Sequence, residues 1–184
     1  NSRHGNGCIS WPDGSMYIGE WFYDKMNGKG VIISALRDVY KGEVQDGIMC
    51  GWGELIYSDG SRHKGQFKDG HRNGRGIFSD RDGTQYYGHF KNDYLHGELI
   101  VKSLIPIEEV GQINFEIRIG VYELGKFVKW KLKLSNPLIT KRFITLFQED
   151  VMMYDSVYSM VIAKNLPAVP EGVDRNNPDV KDIL

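Results

Sequence analysis

Apolar and polar residues alternate in short segments over the first two thirds of the chain. In YIGEW, residues 17–21, the two aromatic residues and the glycine between them occupy alternate positions, so they share one face of an extended strand. Ile18 and Glu20 share the other face. A polar stretch at residues 24–27 reads as a turn, and a second apolar segment follows at residues 31–33. This pattern predicts a β-hairpin.

The hairpin pattern recurs every 23 residues. The segments YIGEW, YKGEV, HKGQF and YYGHF begin at residues 17, 40, 63 and 86. A second set of glycines keeps the same step: Gly5, Gly28, Gly51, Gly74 and Gly97. Turn-forming Asp-Gly pairs recur at residues 13–14, 59–60 and 82–83, whereas Leu36 and Arg37 stand in the corresponding place of another repeat. A period of 20–50 residues is the signature of a repeat array. We therefore expect hairpins side by side in one sheet of ~40–50 Å.

This combination of spaced positions resembles the MORN repeat (membrane occupation and recognition nexus). The resemblance rests on Tyr-x-Gly-x-Trp/Phe followed by Gly-x-Gly and Asp-Gly, and it covers roughly residues 3–122. A degenerate fifth unit at residues 118–122 would follow an insertion near residues 102–110. The resemblance implies a non-catalytic scaffold in cytoskeletal, ciliary (axonemal) or membrane-contact structures. MORN arrays also resemble the accessory regions of some lipid kinases and SET-domain methyltransferases.

The expected fold is mainly β with a C-terminal α-helix: a single-layer twisted antiparallel sheet of stacked 23-residue hairpins, closed by an amphipathic helix. Residues 1–134 would form the array, residues 135–165 the helix and residues 166–184 an extended tail that we expect to continue in the full-length protein. Apolar residues recur about every second position in the predicted strands and about every 3.6 positions in the predicted helix. The apolar side of this helix would contact protein through Phe143, Phe147, Val151, Tyr154 and Tyr158.

The position of this helix has two interpretations. It could cap the open edge after the last strand, which we favour, or it could cross an apolar face of the sheet in this molecule or in a partner. Asp150 lies near the middle of its apolar stripe. This residue could cap a second helix after a break, could pair with a lysine, an arginine or a backbone N–H, or could be a catalytic carboxylate.

The aromatic positions of the repeats predict a binding surface. A single-layer sheet cannot bury both of its faces alone, so an aromatic face could bind a helix or an extended peptide of a protein partner. Packing between the hairpins is the alternative role. A homodimer is a further expectation, formed through the sheet ends or the helix. The aromatic residues are Tyr17, Trp21, Tyr40, Phe67, Tyr86 and Phe90.

Charge and composition restrict the other function classes. The 184 residues carry a formal net charge of −1, which argues against a dedicated nucleic-acid binder. No apolar run approaches the ~18 residues of a transmembrane helix. Basic side chains cluster locally and could attract acidic phospholipids, although a solvated strand face is the simpler interpretation. The residues of this lipid-binding hypothesis are Arg62, Lys64, Arg72 and Arg75.

The sequence offers no constellation for catalysis. It contains no phosphate-binding glycine loop, no histidine or cysteine spacing typical of a metal site and no nucleophile motif. We expect no enzymatic activity, no cofactor and no metal. Cys8 and Cys50 occupy different repeat positions, and we interpret both as reduced thiols. The reduced thiols favour a cytoplasmic protein, and the resemblance to MORN proteins implies association with the cytoskeleton, the cilium or a membrane.

Overall fold

The structure is a computed structural model that describes residues 2–105 and 114–133. These residues form a single antiparallel sheet of eleven strands in sequence order, with β1 and β11 at its two edges. At ~4.8 Å between strands the sheet is about 50 Å long. The strands are β1 (Gly5–Ser10), β2 (Met16–Phe22), β3 (Lys25–Ile33), β4 (Val39–Gln45), β5 (Ile48–Ile56), β6 (Arg62–Lys68), β7 (His71–Ser79), β8 (Gln85–Lys91), β9 (Tyr94–Ile105), β10 (Asn114–Glu123) and β11 (Lys126–Lys133).

The predicted single-layer antiparallel sheet of hairpins is therefore confirmed. An insertion was predicted near residues 102–110. Residues 102–105 belong to β9, and residues 106–113 lie outside the described residues. The helix predicted for residues 135–165 and the tail predicted for 166–184 also lie outside them. So do the predicted helix contacts Phe143, Phe147, Val151, Tyr154 and Tyr158.

The turn inside each hairpin is shorter than the sequence suggested. A polar turn was expected over residues 24–27, but β3 already begins at Lys25. Five two-residue turns connect the strands, and both residues of each have φ between 45° and 86°. Positive φ at both positions matches the right-handed twist of the flanking strands, so it permits the tightest connection. The turns are Tyr23-Asp24, Asp46-Gly47, Asp69-Gly70, Asn92-Asp93 and Leu124-Gly125.

A second kind of turn joins one hairpin to the next. In three of these turns a glycine of the Asp-Gly pair has φ of 84° to 88° and donates its N–H to the carbonyl three residues earlier. The aspartate accepts from the backbone two residues later, as in Asp13 with Ser15 at 2.9 Å. The Leu36-Arg37 turn has the same backbone hydrogen bonds, with Arg37 at φ 70°. The array therefore imposes the turn on residues that are poorly suited to it.

Restoring the turn chemistry should stabilise the protein. Replacing Leu36 by Asp together with Arg37 by Gly removes a left-handed non-glycine residue, which is worth about 1 kcal/mol. The backbone N–H of Asp38 already donates to Ser34 Oγ at 3.0 Å, so the new carboxylate adds little to this gain. Leu36 is 76 % exposed, so its loss removes little packing. Thermal unfolding should show a rise of about 2–4 °C. Arg37→Ala is the control, because it keeps the left-handed strain; an equal rise in that variant would contradict the interpretation.

Glycines form a continuous row across eight strands. The cross-strand register pairs each of these glycines with the next: Gly7, Gly19, Gly30, Gly42, Gly53, Gly65, Gly76 and Gly88. Aromatic rings fill the space that the missing side chains leave. The Tyr17 ring lies over Gly19 and Gly30, and the Tyr40 ring lies over Gly42 and Gly53. We call this side of the sheet the aromatic face and the opposite side the second face.

The row changes at the fourth repeat. Leu99, which interrupts the sequence series of glycines, is 1 % exposed and packs against Gly88. It occupies the space that a ring fills in the first three repeats. Tyr86 is turned instead toward Phe78 and Tyr122, with a centroid separation of 6.2 Å in each case. The register places Tyr122 opposite Gly97, as Trp21 stands opposite Gly5, so β10 and β11 continue the geometry of the repeats.

Candidate functional site: the aromatic face

Most of the predicted partner-binding residues form the core of the sheet. Three of the four repeats present an aromatic-glycine-aromatic strand to the same side, and Val44 takes the second aromatic place in the other. The rings of Tyr17, Tyr40 and His63, and that of Trp21, lie down on the glycine row. As a result the rings cover one another and the backbone. Five of the six are buried, namely Tyr17, Trp21, Tyr40, Phe67 and Phe90, whereas Tyr86 is half-buried. Their contact with a partner stays a prediction, and the structure gives them a packing role.

The rings contact one another edge to face along the array. Tyr17 meets Trp21 at 5.3 Å between centroids, and Tyr40 meets Phe67 at 5.1 Å. The hydroxyls of Tyr17 and Tyr40 donate to the carbonyls of Glu20 and Glu43, both at 2.8 Å. Burial raises the pKa of the Tyr17 hydroxyl. These contacts fix the floor of the face, because edge-to-face pairs add about 0.5–1.5 kcal/mol beyond area burial.

His63 occupies the tyrosine position of the third repeat. Its ring lies over Gly65 and Gly76 and packs against Phe67 and Phe90, with centroid separations of 5.3 and 4.5 Å. The side chain is fully buried, and neither ring nitrogen has a hydrogen-bond partner within the described part of the chain. Burial, with the nearby Arg72 charge, lowers its pKa to about 3. The imidazole is therefore neutral at physiological pH.

Two arginine-aspartate pairs stand on the aromatic face, three repeats apart. The Arg3 guanidinium lies 4.1 Å from the Trp21 ring centroid, and its backbone N–H and Nε both donate to Asp24 Oδ1, at 2.9 and 3.1 Å. Arg72 makes the same two bonds to Asp93 Oδ1, at 2.9 and 3.4 Å. The hydrogen bonds from Arg3 lower the pKa of Asp24. Each pair ties the edge of one hairpin to the turn of the next.

Sequence reasoning missed this position, although a periodic signal marks it. Two residues before the periodic glycines stand Arg3, Met26, Met49, Arg72 and Leu95. The carbonyl of each accepts a hydrogen bond from the following hairpin turn: from Asp24, Gly47, Gly70, Asp93 and Gly125. The arginines occur where the turn offers an aspartate, and methionines occur where it offers glycine. This pairing could have been found by comparing residues one repeat apart.

A groove opens on the aromatic face near the first hairpin. Its volume is about 300 Å³. Apolar side chains form the floor, and two ion pairs lie at its rim: Arg3 with Asp24, and Lys25 with Asp46 at 3.3 Å. The lining apolar residues are Ile9, Trp11, Trp21 and Met26. Among them Trp11 is 38 % exposed, so it offers a free aromatic surface beside a rigid floor. This arrangement suits an apolar side chain of a partner and not an ion.

The residues of the lipid-binding hypothesis do not share one face. Strand alternation and register place Arg62, Lys64 and Arg75 on the second face, while Arg72 lies on the aromatic face beside Phe90. The Arg62 guanidinium lies 4.0 Å from a Glu54 carboxylate oxygen. The four residues therefore do not form one basic surface. Their binding to phospholipid stays a prediction.

The described residues carry no assembly for metal or redox chemistry. Among residues 2–105 and 114–133 there is no group of three or more His, Cys, Asp or Glu side chains that could hold a metal ion. Cys8 and Cys50 are free thiols, and burial raises the pKa of both. Within the same ranges no helix is long and apolar enough to cross a membrane.

Comparison with known proteins agrees with the periodicity. The family model described as MORN repeat matches five segments of the chain, at residues 1–16, 17–35, 40–62, 63–85 and 86–98. Together these segments cover about half of the sequence. Repeats of this type are non-enzymatic and are generally associated with protein and membrane interaction modules. A comparison with curated protein sequences gave no match.

Proposed function

Because the chain belongs to the MORN-repeat family, we propose that it is a non-catalytic scaffold that binds a protein partner on its aromatic face. The groove at the first hairpin supports this function most directly. Its floor is rigid because Trp21 is packed between Tyr17 and the Arg3 guanidinium. Rigid apolar pockets next to an exposed aromatic residue are where binding energy concentrates in interfaces.

The chemistry of the groove defines the kind of partner. The acids and bases of the rim are already paired with each other, so a charged ligand would gain little there. An apolar side chain, by contrast, would remove both itself and Trp11 from water. The proposed ligand is a helix or an extended peptide with one bulky apolar anchor. In the cell such a scaffold would belong to a cytoskeletal, ciliary or membrane-associated assembly.

Removal of Trp11 should weaken binding without unfolding the sheet. Peptides selected for binding from a displayed peptide library would be labelled and titrated with the full chain, with fluorescence anisotropy as the measurement. We expect Trp11→Ala to raise Kd about 30-fold, the typical effect of a hot-spot aromatic residue. Phe22→Ala is the matched control, because Phe22 is 57 % exposed and points to the second face. This control should leave Kd unchanged.

Two results would contradict the proposal. Equal losses in Trp11→Ala and Phe22→Ala would show that the groove is not the binding site. Salt-sensitive binding to anionic vesicles, lost when Arg62, Lys64 and Arg75 become glutamate and unaffected by Trp11→Ala, would identify a lipid-binding module instead. The circular dichroism spectrum and melting temperature of each variant must match those of the parent protein.

A further inference from the structure

The last strand of the sheet, β11, is an open edge among the described residues. Within residues 2–105 and 114–133 it pairs on one side only, with β10. Three of its large apolar side chains are exposed: Phe127 by 47 %, Val128 by 53 % and Trp130 by 44 %. An edge strand also presents backbone N–H and C=O groups to any extended chain that approaches. The edge therefore combines a row of hydrogen-bonding groups with apolar contact area.

The repeat geometry shows what β11 lacks. Five carbonyls of the array, of which Met26 is one, accept a hydrogen bond from the hairpin turn that follows. Phe127 stands in the next place of this series, because it pairs with Tyr122 as Met26 pairs with Trp21. Within the described part of the chain no hairpin turn follows Phe127 to supply the donor. The strand is therefore built like one that has a neighbour on its outer side.

The two sides of β11 differ in chemistry. The register places Phe127 and Trp130 on the aromatic face, because their partners in β10 lie there. Strand alternation places Lys126 and Lys129 on the second face. The whole strand carries four lysines and no acid. An extended chain laid along β11 would meet aromatic rings on one side and positive charge on the other.

Lys129 is the cation that the described residues leave without a partner. Lys131 binds Glu98 at 2.6 Å, and Lys133 binds Glu116. The side chain of Lys129 makes no ion pair or hydrogen bond with residues 2–105 or 114–133, and its cross-strand neighbour is the apolar Val121. A carboxylate on the outer side of β11 could pair with it at no cost to an existing contact.

An earlier repeat shows how the array meets a lysine in this place. Lys129 corresponds to Lys29 of the first hairpin, since each immediately precedes the residue paired with the middle glycine of the preceding strand. Lys29 stands opposite Glu43 of the next strand. Opposite charges directly across a strand pair stabilise it, and like charges destabilise it. A strand added to β11 would therefore match Lys129 if it carried Glu or Asp at the facing position.

The same charges exclude a second copy of this chain as the occupant. Two β11 strands side by side would bring their lysines together. The other edge, β1, has the sequence GNGCIS and carries no acid. Lysines and bulges protect an edge from uncontrolled pairing, and Val128 and Lys131 are the unmatched residues of two bulges. This protection acts against apolar and basic strands and leaves acidic strands as those that fit.

We propose that β11 binds an acidic, extended segment of a protein partner, which adds a twelfth strand to the eleven of the sheet. Apolar residues of this segment contact Phe127 and Trp130, and acidic residues alternate with them and pair with Lys129. Backbone hydrogen bonds supply affinity in this mode of recognition, and the alternating side chains supply specificity. The surface lies at the opposite end of the sheet from the groove, so the inference stands whether or not the groove binds a partner.

Peptide binding to the full chain tests this surface. The probe is a fluorescent peptide of about ten residues that alternates valine with glutamate, titrated at about 0.15 M salt, where exposed charges more than ~8 Å apart are largely screened. We expect Lys129→Glu to raise Kd about 10-fold, because an attraction across the strand pair becomes a repulsion. A peptide with lysine in place of glutamate should prefer the Lys129→Glu variant. Lys68→Glu is the matched control, since it makes the same change of net charge on β6 and should leave Kd unchanged.

Methylation of the peptide backbone separates strand pairing from simple charge attraction. In an antiparallel strand, alternate residues direct their N–H groups to the same neighbour, and the residues between them direct theirs away. Methylation of one alternate set of peptide nitrogens should therefore raise Kd about 100-fold, because several hydrogen bonds are lost together. Methylation of the other set should leave Kd almost unchanged. Equal effects of the two sets would refute pairing with β11.

Hydrogen exchange locates the bound peptide. The amides of Lys126–Lys133 should gain protection on binding, and Trp11→Ala should leave Kd unchanged. Equal affinity for acidic and basic peptides, or an equal loss in Lys68→Glu, would overturn the proposal. So would a free chain in which every amide of β11 is already protected, because its own residues would then occupy the edge. Binding to anionic vesicles that Lys129→Glu abolishes, without any binding of the acidic peptide, would identify a lipid surface instead. Lys129→Gln is the milder variant if Lys129→Glu alters the circular dichroism spectrum.

Discussion

Replacing Gly53 by alanine is expected to lower the free energy of unfolding by about 3 kcal/mol or more. A Cβ atom at this position would lie 2.5–2.7 Å from three atoms of the Tyr40 side chain, much closer than van der Waals contact. Tyr40 is 2 % exposed, and its hydroxyl donates to the carbonyl of Glu43. To admit the methyl group, the buried ring must shift or leave its site, or the two strands must separate.

The measurement is chemical unfolding of the parent chain and Gly53→Ala at pH 7.5. Gly97→Ala is the matched control, because Gly97 has φ 83° and nothing within 4 Å of its added Cβ. That control carries the cost of a left-handed alanine alone, about 1–2 kcal/mol. A double-mutant cycle adds Tyr40→Leu, in which the penalty of Gly53→Ala should fall because the smaller side chain yields. An equal penalty with and without the ring would refute the steric explanation.

The glycine row explains why so much of the fold could be predicted from the sequence. A two-residue periodicity in each strand and a 23-residue periodicity along the chain both had to be satisfied, and few folds satisfy both. In the first three repeats the ring two residues before Gly19, Gly42 or Gly65 in the same strand lies over that glycine and over its partner in the next strand. The structure also shows why the pattern ends at Leu99, whose side chain takes the place of a ring.

The exposure of the aromatic face could not be predicted from alternation alone. Alternation assigns Trp21 and Phe67 to one side of the sheet, but it cannot show whether a ring stands up into solvent or lies down over glycine. Trp21 lies over Gly7 and Phe67 packs between Tyr40 and His63, so both rings are buried. The accessible surface moves to Trp11, which no repeat position marks. Likewise, Arg72 joined a basic cluster along the sequence, yet in space it pairs with Asp93 and belongs to the opposite side from Arg62.

Turn lengths were mispredicted for a related physical reason. A polar stretch such as residues 24–27 resembles a loop when it is considered alone. In the sheet, Met26 pairs with Trp21 and extends the hairpin as far as the turn. Tyr23 and Asp24 then adopt positive φ, which costs energy for non-glycine residues. Cross-strand hydrogen bonds over the whole hairpin outweigh that local cost, so tertiary pairing decides the boundary and not local propensity.

Acidification should destabilise the parent protein through His63. The unfolded chain binds a proton at this imidazole below its ordinary pKa of 6.5, whereas the folded protein holds it neutral down to about pH 3. Because the unfolded state binds more protons in this interval, stability falls as the pH falls from about 6.5 toward 3. At pH 5 the expected loss is about 2 kcal/mol relative to pH 7.5. Carboxylates with lowered pKa, such as Asp24, lose their contribution only at lower pH.

Two substitutions separate the titration of His63 from its missing hydrogen bonds. His63→Phe keeps a ring over Gly65 and Gly76 but cannot bind a proton, so unfolding between pH 7.5 and 5 should show about 2 kcal/mol less loss than in the parent chain. His63→Tyr should share this flat profile and add about 1 kcal/mol at both pH values, because its hydroxyl can donate to the Gln66 carbonyl as Tyr40 does to Glu43. If His63→Phe kept the pH dependence of the parent chain, another group would be responsible, and the burial of a neutral imidazole would not be the cause.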